Sequence, residues 1–337
     1  MIRYTIIGGG IAGIRAAEVL RRPDPDCAIT MVSEDPQPFC LRPALPDYIA
    51  GELTAKDLRT RVTDVYEVNR IEIRLGKRVS RVLPGQSTIE LEDEEIHFDR
   101  LLIATGTSPR RPEVAGADLP SVVTLHTLND AECVIACASR SRIAVVAGTG
   151  LVGIELVRAL RQRGLRVTYL IPDEHPWPQM AYHASAQEVE DVLLQNGVDL
   201  RPAELLTAII KGKDDVAAAV GSKSGAIACD MVGFAMEEVP NTTLLEGSGI
   251  AVDRGILVSE RMETSVPNVF AAGDVAQAYS PEYGTYRLNF GWSSARHQGE
   301  IAALAMCGEG LPQSKPTTAD EYVVTQLHGV PLVARWQ

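Results

Sequence analysis

Three glycines in Gly8-x-Gly10-x-x-Gly13 stand between the apolar run Arg3-Tyr4-Thr5-Ile6-Ile7 and the helical stretch Ile14-Arg15-Ala16-Ala17-Glu18-Val19-Leu20. Strand, tight turn and helix in that order make a cradle for a pyrophosphate. Gly8 permits the turn, Gly10 lets backbone approach the anion, and Gly13 lets helix and strand pack closely. Unpaired N–H groups at the helix start, around Ala12, then face the negative charge. The next apolar run, Ala28-Ile29-Thr30-Met31-Val32, ends at Ser33-Glu34. That is about twenty residues past the last glycine, where a carboxylate can accept ribose hydroxyls.

The theme recurs in residues 143–155, Ile-Ala-Val-Val-Ala-Gly-Thr-Gly-Leu-Val-Gly-Ile-Glu. Here Gly148-x-Gly150-x-x-Gly153, with Val152 before the last glycine, again separates an apolar strand from a helix, and a second strand follows at residues 166–171. Two such modules specify two dinucleotide folds in one chain. The fold class is α/β, with two Rossmann-like domains, each a parallel sheet with an antiparallel β crossover. The second domain is inserted in the first. We expect the first domain at residues 1–112, the inserted one at 113–240, the return of the first at 241–310, and a short tail at 311–337.

The remaining stretches position these modules. Residues 35–47, Asp-Pro-Gln-Pro-Phe-Cys-Leu-Arg-Pro-Ala-Leu-Pro-Asp, form a proline-rich loop where this architecture places its site. Alternation across residues 71–75, 79–82 and 88–91 predicts antiparallel strands with one wet face, and Glu92-Asp93-Glu94-Glu95 reads as a solvated turn. Residues 99–106 return to a buried strand ending in Ala104-Thr105-Gly106. Residues 265–274 read as a turn, a short buried strand, Gly273 and an acid, Asp274; residues 293–307 read as a helix capped by Ser293.

At 337 residues the chain has room for two or three domains, and its formal charge of −12 argues against nucleic acid and anionic membrane as partners. No apolar run approaches a membrane span, and the N-terminus enters a strand at once, so we expect a cytoplasmic protein. The six cysteines lack C-x-x-C spacing and suggest neither disulfides nor a metal site. Cys133 and Cys137 fall at i, i+4 on a helix, with burial as the default for both.

On these motifs, together with Phe39-Cys40-Leu41-Arg42-Pro43-Ala44-Leu45, the chain resembles the pyridine nucleotide-disulfide oxidoreductase superfamily. Within it, the NAD(P)H reductases that serve rubredoxin, ferredoxin or nitrite reductase are the most similar. The resemblance runs in order from residue 1 to about 308. It implies FAD in the first domain, with Gly8, Gly10 and Gly13 at the pyrophosphate, Ser33 and Glu34 at the ribose, and Val79 near adenine. Arg42, Ala104, Thr105, Gly106, Gly273 and Asp274 would also line the cofactor, Asp274 reaching the ribityl chain or pyrophosphate. Trp292 and the helix after it would lie beside the flavin, its dipole favouring negative charge on the reduced ring. The second domain would receive the nicotinamide nucleotide at Gly148, Gly150, Val152 and Gly153.

Several positions depart from the family pattern. Ile171-Pro172-Asp173-Glu174-His175 offers no arginine to a 2′-phosphate, so NADH is the expected nucleotide and NADPH is disfavoured, with Asp173 as the ribose acid. Glu237 replaces a glycine that would lie close to the nucleotide, adding bulk and like charge. Asp47 stands where many relatives carry a lysine paired with the acid equivalent to Glu155. Two readings stand there: neighbouring carboxylates forming a proton donor, or Asp47 capping the next helical turn while Glu155 bonds local backbone. Cys40 lies in the loop that carries redox cysteines in other members, and is either redox active or packed in place of a tyrosine. His297 reads as a surface or supporting residue against acid–base catalysis. The tail is shorter than the mixed domain that ends relatives, leaving the flavin more open or covered by a partner subunit.

The expected activity is hydride transfer from NADH to flavin N5 and release of electrons to a protein or small acceptor. The alternative keeps FAD and drops the nicotinamide, making the chain an electron-transfer subunit of a larger dehydrogenase complex. Either reading expects a redox acceptor protein or partner subunit, and a homo- or hetero-oligomer is compatible with both.

Overall fold

The computed structural model describes residues 1–59, 63–172, 181–182, 186–213, 217–235, 238–310, 323–327 and 330–335. Two compact units divide the chain: Met1–Cys40, Arg59–Ser108 and Val239–Asp320 form one, and Leu41–Leu58, Pro109–Glu238 and Glu321–Gln337 the other.

The first unit is built on a five-stranded parallel sheet in the order Val269–Ala271, Arg100–Ile103, Arg3–Ile7, Ala28–Ser33, Ile71–Leu75. Ile6, Met31, Leu101, Leu102, Ile103 and Ala271 are fully buried, as parallel strands require when both faces are covered. Ile7 is level with both Val32 and Ile103, so the central strand and its two neighbours end together beside Gly8. Helices Ile11–Leu20 and Trp292–Met306 cross at backbone contact: a Cβ on Gly299 would lie 2.2 Å from the Ala12 carbonyl oxygen. Residues 71–75, expected as an antiparallel strand, are instead the parallel edge of this sheet. Their alternation reflects an edge strand with one exposed face, which period-two patterning alone does not distinguish from an antiparallel strand. The antiparallel crossover comprises Val79–Leu83, Thr88–Leu91 and Glu95–His97.

The second unit repeats the plan. Its parallel sheet runs Asp199–Pro202, Arg166–Ile171, Ile143–Gly148, Met231–Ala235, Val122–Thr124, and its antiparallel crossover comprises Ala208–Lys211, Ala217–Ser222 and Gly225–Ala228. Helix Leu45–Ala50 belongs here because the helix Gly150–Gln162 and its C-cap hold it: Arg158 reaches Asp47, Gln162 reaches Glu52 at 2.8 Å, and Arg163 reaches the Ile49 carbonyl. Strands Val323–Leu327 and Val330–Arg335 pair as a hairpin, which also pairs with Ala181–Tyr182. Cys133 and Cys137 share helix Leu128–Ala138, but Cys133 is exposed and only Cys137 is buried, since one face of the helix meets water.

The duplication extends to individual hydrogen bonds. Asp99 accepts from the Arg3 N–H at 2.8 Å, and Asp230 accepts from the Arg142 and Ile143 N–H groups at 2.7 and 2.9 Å, so each tethers the start of a central strand. The Lys77 N–H donates to the Ser33 carbonyl and the Glu204 N–H to the Ile171 carbonyl, both at 3.0 Å. Each of these side chains then reaches a hairpin turn of its crossover, Lys77 at Asp93 and Glu204 at Ser224. The acidic turn is therefore held by ion pairs, with Arg74 also 3.5 Å from Glu94.

Gly8 has φ of 112°, and an added Cβ would lie 2.0 Å from the Ala104 carbonyl oxygen. Gly8→Ala is expected to destabilise the fold by roughly 3 kcal/mol or more, read as a lower urea midpoint; an unchanged midpoint would show that this approach is not a constraint. Hydrogen bonds from Arg3 hold the Asp99 carboxyl at about 2, below the ordinary aspartate value of 3.8. A depressed carboxylate contributes stability above the unfolded value and loses it as pH falls through the folded one. Asp99→Asn should therefore flatten the stability profile between about pH 4 and pH 2, by about 1 kcal/mol after solvent screening, in acid titrations followed by circular dichroism.

Candidate functional site

In the first unit the expected residues converge on the carboxyl end of the parallel sheet. Helix Ile11–Leu20 starts after Gly10 with no side-chain cap and no acid in its first turn, and a Cβ on Gly10 would meet nothing within 4 Å. Gly10 thus faces open space at the positive end of a helix, which is the chemistry of an anion site. Ala12 is buried between neighbouring glycines: Cβ atoms on Gly273 and Gly299 would lie 3.1 Å from its Cβ and 2.2 Å from its carbonyl oxygen. Ser33 is buried against Gly9, whose added Cβ would sit 3.1 Å from the Ser33 oxygen. Glu34 points outward, with a side chain 69% exposed and 3.5 Å from Arg78. Val79 is buried at the start of the crossover.

The strand end at Ala104-Thr105-Gly106 is fixed by Asn241, which sequence reasoning did not single out. The Thr105 hydroxyl donates to the Asn241 carbonyl and the Asn241 amide to the Thr105 carbonyl, both at 2.9 Å, and the Asn241 N–H donates to the Gly106 carbonyl at 3.0 Å. Asn241 also accepts from the Ser108 hydroxyl at 2.8 Å. Asp274 accepts from the Gly291 N–H at 3.0 Å and so orders the approach to helix Trp292–Met306. That helix starts one residue earlier than expected and is capped by Gly291, not Ser293; its first turn carries no acid and its N-cap donates no side chain. Trp292 packs on Phe39 with ring centroids 5.5 Å apart, and the Phe39 N–H donates to the Tyr66 hydroxyl at 3.1 Å. Cys40, next to Phe39, is buried. Burial raises the thiol pKa of Cys27, Cys137, Cys229 and Cys307, to about 12 for Cys229, which removes thiolate chemistry from those four at neutral pH.

In the second unit, Gly148 has φ of 144° and its Cβ would lie 2.0 Å from the Ala235 carbonyl oxygen, the counterpart of Gly8 and Ala104. A Cβ on Gly153 would meet the hydroxyl of the buried Tyr169 at 2.2 Å. Helix Gly150–Gln162 is again acid-free in its first turn, with no cap from the Thr149 side chain, and Val152 is 37% exposed on it. Helix Leu128–Ala138, away from either glycine turn, carries a full Thr127–Asp130 capping box instead. Asp173 and Glu237 lie outside the described residues.

Asp47 and Arg42 both take side-chain partners that no motif in the sequence announced. Asp47 does not cap its helix; it pairs with Arg158 at 2.5 Å, one helical turn beyond the buried Glu155. The Arg158 side chain is 6% exposed, and the i, i+3 spacing of Glu155 and Arg158 was the available signal for it. Arg42 lies with its guanidinium 2.9 Å from His126 Nε2, while His126 Nδ1 is 3.5 Å from Glu238. Because arginine only donates, His126 Nε2 accepts and the ring proton sits on Nδ1, toward Glu238. His126 carried no motif. Among the described residues no cluster of metal-ligating side chains is present, and no helix is long and apolar enough to cross a membrane.

The chain is 29% identical over 312 residues to the nitrite reductase [NAD(P)H] of Bacillus subtilis (strain 168), covering 91% of this chain and 37% of that protein. It is 33% identical over 276 residues to rhodocoxin reductase of Rhodococcus erythropolis, covering 80% of this chain and 64% of that one. It therefore spans less than two thirds of either relative. Among solved structures, the covalent putidaredoxin reductase–putidaredoxin complex matches with a TM-score of 0.87 at 27% identity, over 93% of this chain and 77% of that one. The family model described as pyridine nucleotide-disulphide oxidoreductase matches residues 2–299, and with both glycine turns, both parallel sheets and both crossovers in place, the chain belongs to that family.

Proposed function

We propose that the first unit holds FAD, that the second receives NADH, and that electrons leave to a redox acceptor protein or partner subunit. The observation that carries this reading is the open, uncapped and acid-free helix start at Gly10 in the glycine turn, with the exposed Glu34 carboxylate at the end of the next strand. A Cβ on Gly10 would meet nothing within 4 Å, so the backbone there is open to a diphosphate. Bound FAD would supply the two-electron chemistry that accepts hydride and hands electrons on.

The protein's residues bind and orient. Gly8, Gly10 and Gly13 bring backbone N–H groups to the diphosphate, and Glu34 offers its exposed carboxylate to ribose hydroxyls. Asn241 holds the Ala104-Thr105-Gly106 edge against the cofactor, and Asp274 fixes the start of the helix at Trp292. That helix start favours negative charge on a reduced ring. Gly148, Gly150 and Gly153 form the nicotinamide-nucleotide cradle, and the acids that follow Ile171 in the sequence favour NADH over NADPH. Similarity to reductases named for rhodocoxin and putidaredoxin supports a small redox protein as the acceptor. Six free cysteines fit the reducing conditions of the cytoplasm, where we place the protein.

Anaerobic titration is the direct test. Purified protein should carry a flavin spectrum that bleaches with NADH much faster than with NADPH. A bound flavin that ignores both nucleotides would instead support the electron-transfer subunit, and protein that neither contains nor takes up FAD would refute both readings. Gly10→Ala separates binding from folding: its methyl group meets no atom of the fold, so melting of the apoprotein should be unchanged while FAD affinity falls roughly tenfold or more. Equal affinity in calorimetry would place the diphosphate elsewhere.

A further inference from the structure

Gln298 is 5% exposed on helix Trp292–Met306, and its side chain is spent on a single backbone group and a single hydroxyl. Oε1 accepts from the Gly273 N–H at 2.9 Å, and Nε2 donates to the Ser294 hydroxyl one turn earlier at 3.2 Å. The sheet ladder ends at the bond from the Ala272 N–H to the Ile103 carbonyl, so Gly273 is the first donor past the sheet. Gly273 has φ of 84° and is buried; without Gln298 its N–H would be left unpaired inside the protein.

The geometry closes a ring. Gly273 precedes Asp274, Asp274 accepts from Gly291, Gly291 caps the helix, and the helix returns through Ser294 to Gln298. The next residue, Gly299, sets the same helix against the Ala12 carbonyl, in the first turn of the helix that follows the Gly8–Gly13 turn. One turn of helix therefore fixes two things together, the distance to the diphosphate cradle and the place of the Asp274 carboxylate.

We propose that Gln298 is a positioning residue for the flavin site: by accepting the Gly273 N–H it holds Asp274, and through Asp274 the helix start at Trp292, in register with the Gly10 cradle. This rests on the FAD reading above. Loss of the acceptor frees the Gly273 turn, loosens Asp274 from Gly291, and lets the helix start drift from the ring whose reduced form it stabilises.

Three variants test it against wild-type protein, with FAD affinity, flavin midpoint potential and apoprotein melting as readouts. Q298L removes the acceptor and should weaken FAD binding roughly tenfold and make the potential more negative. Q298E keeps an acceptor for Gly273 and can accept from Ser294, so its FAD affinity should return to within roughly threefold of wild type. S294A removes the partner that orients the amide and should fall between, at roughly two- to threefold weaker. Wild-type affinity and potential in Q298L overturn the proposal, as does a Q298E as weak as Q298L. Should Q298L fail to fold, S294A and Q298E decide: wild-type values in S294A, or a folded Q298E that is tenfold weaker, overturn it. Wild-type protein that takes up no FAD refutes the functional reading itself, before any variant is compared.

Discussion

Two backbone contacts set the scale of everything else. At Gly8 the missing side chain leaves room for the Ala104 carbonyl, and at Gly148 for the Ala235 carbonyl; in both, a Cβ would sit 2.0 Å from oxygen. The reason lies in the register. Ile7 is level with Ile103 and Gly148 with Ala235, so the chain must leave the sheet directly beside a neighbouring strand that has not yet turned away. Any side chain there would push the strand end outward, and the helix start would follow it. An anion site built from helix N–H groups tolerates little such movement, because its field falls off within the first turn.

Around these contacts the two units share more than an outline. Asp99 and Asp230 tether the central strands at their starts, and Lys77 and Glu204 tie the crossover hairpins to the ends of the second strands. The tie is preserved while its chemistry changes, an ion pair in one unit and a carboxylate–hydroxyl bond in the other. A constraint kept through such a change is one of geometry. Each crossover has to stand at a fixed height above the sheet edge, and either pair holds it there. Where the units diverge, the divergence is at the ligand side. Asn241 laces the strand end of the first, whereas the buried Tyr169 lies beneath Gly153 in the second.

Local periodicity and spacing made much of this legible in the sequence. The glycine turns, the buried strands between them and the doubling of the fold all follow from patterns within about thirty residues. Residues 71–75 depart from the expected antiparallel pairing because an edge strand with one wet face alternates whether its partner is parallel or antiparallel; only the partner, Ala28–Ser33, decides. The site's second layer was not legible for the same reason. Thr105 and Asn241 are 136 positions apart, Arg158 and Asp47 are 111 apart, and no local pattern announces either pair. Asp47 shows the cost of reading charge by position. In sequence it is an acid where a base belongs, yet the fold supplies the base from the facing helix, so the local balance is restored with the roles exchanged.

The same distinction between local and global charge resolves how a chain of net charge −12 can present a site for diphosphates. Ions in solution screen exposed charges beyond a Debye length of about 8 Å, so most of the surface acids contribute little at the glycine turns. What matters is the first turn of each helix that follows a glycine turn. Helices Ile11–Leu20 and Gly150–Gln162 both lack an acid there and lack a side-chain cap, whereas Leu128–Ala138 has both and Trp292–Met306 has the Asp274 carboxylate on its N-cap N–H. Leaving a cap out costs about 1 kcal/mol of helix stability. Leaving it out at both helices that follow a glycine turn, while Leu128–Ala138 keeps its own, is sensible if the N–H groups are reserved for another acceptor. On the proposed reading a bound diphosphate would supply the missing cap, so that ligand binding and helix completion would be the same event, and the acidity of the remaining surface is free to serve other ends.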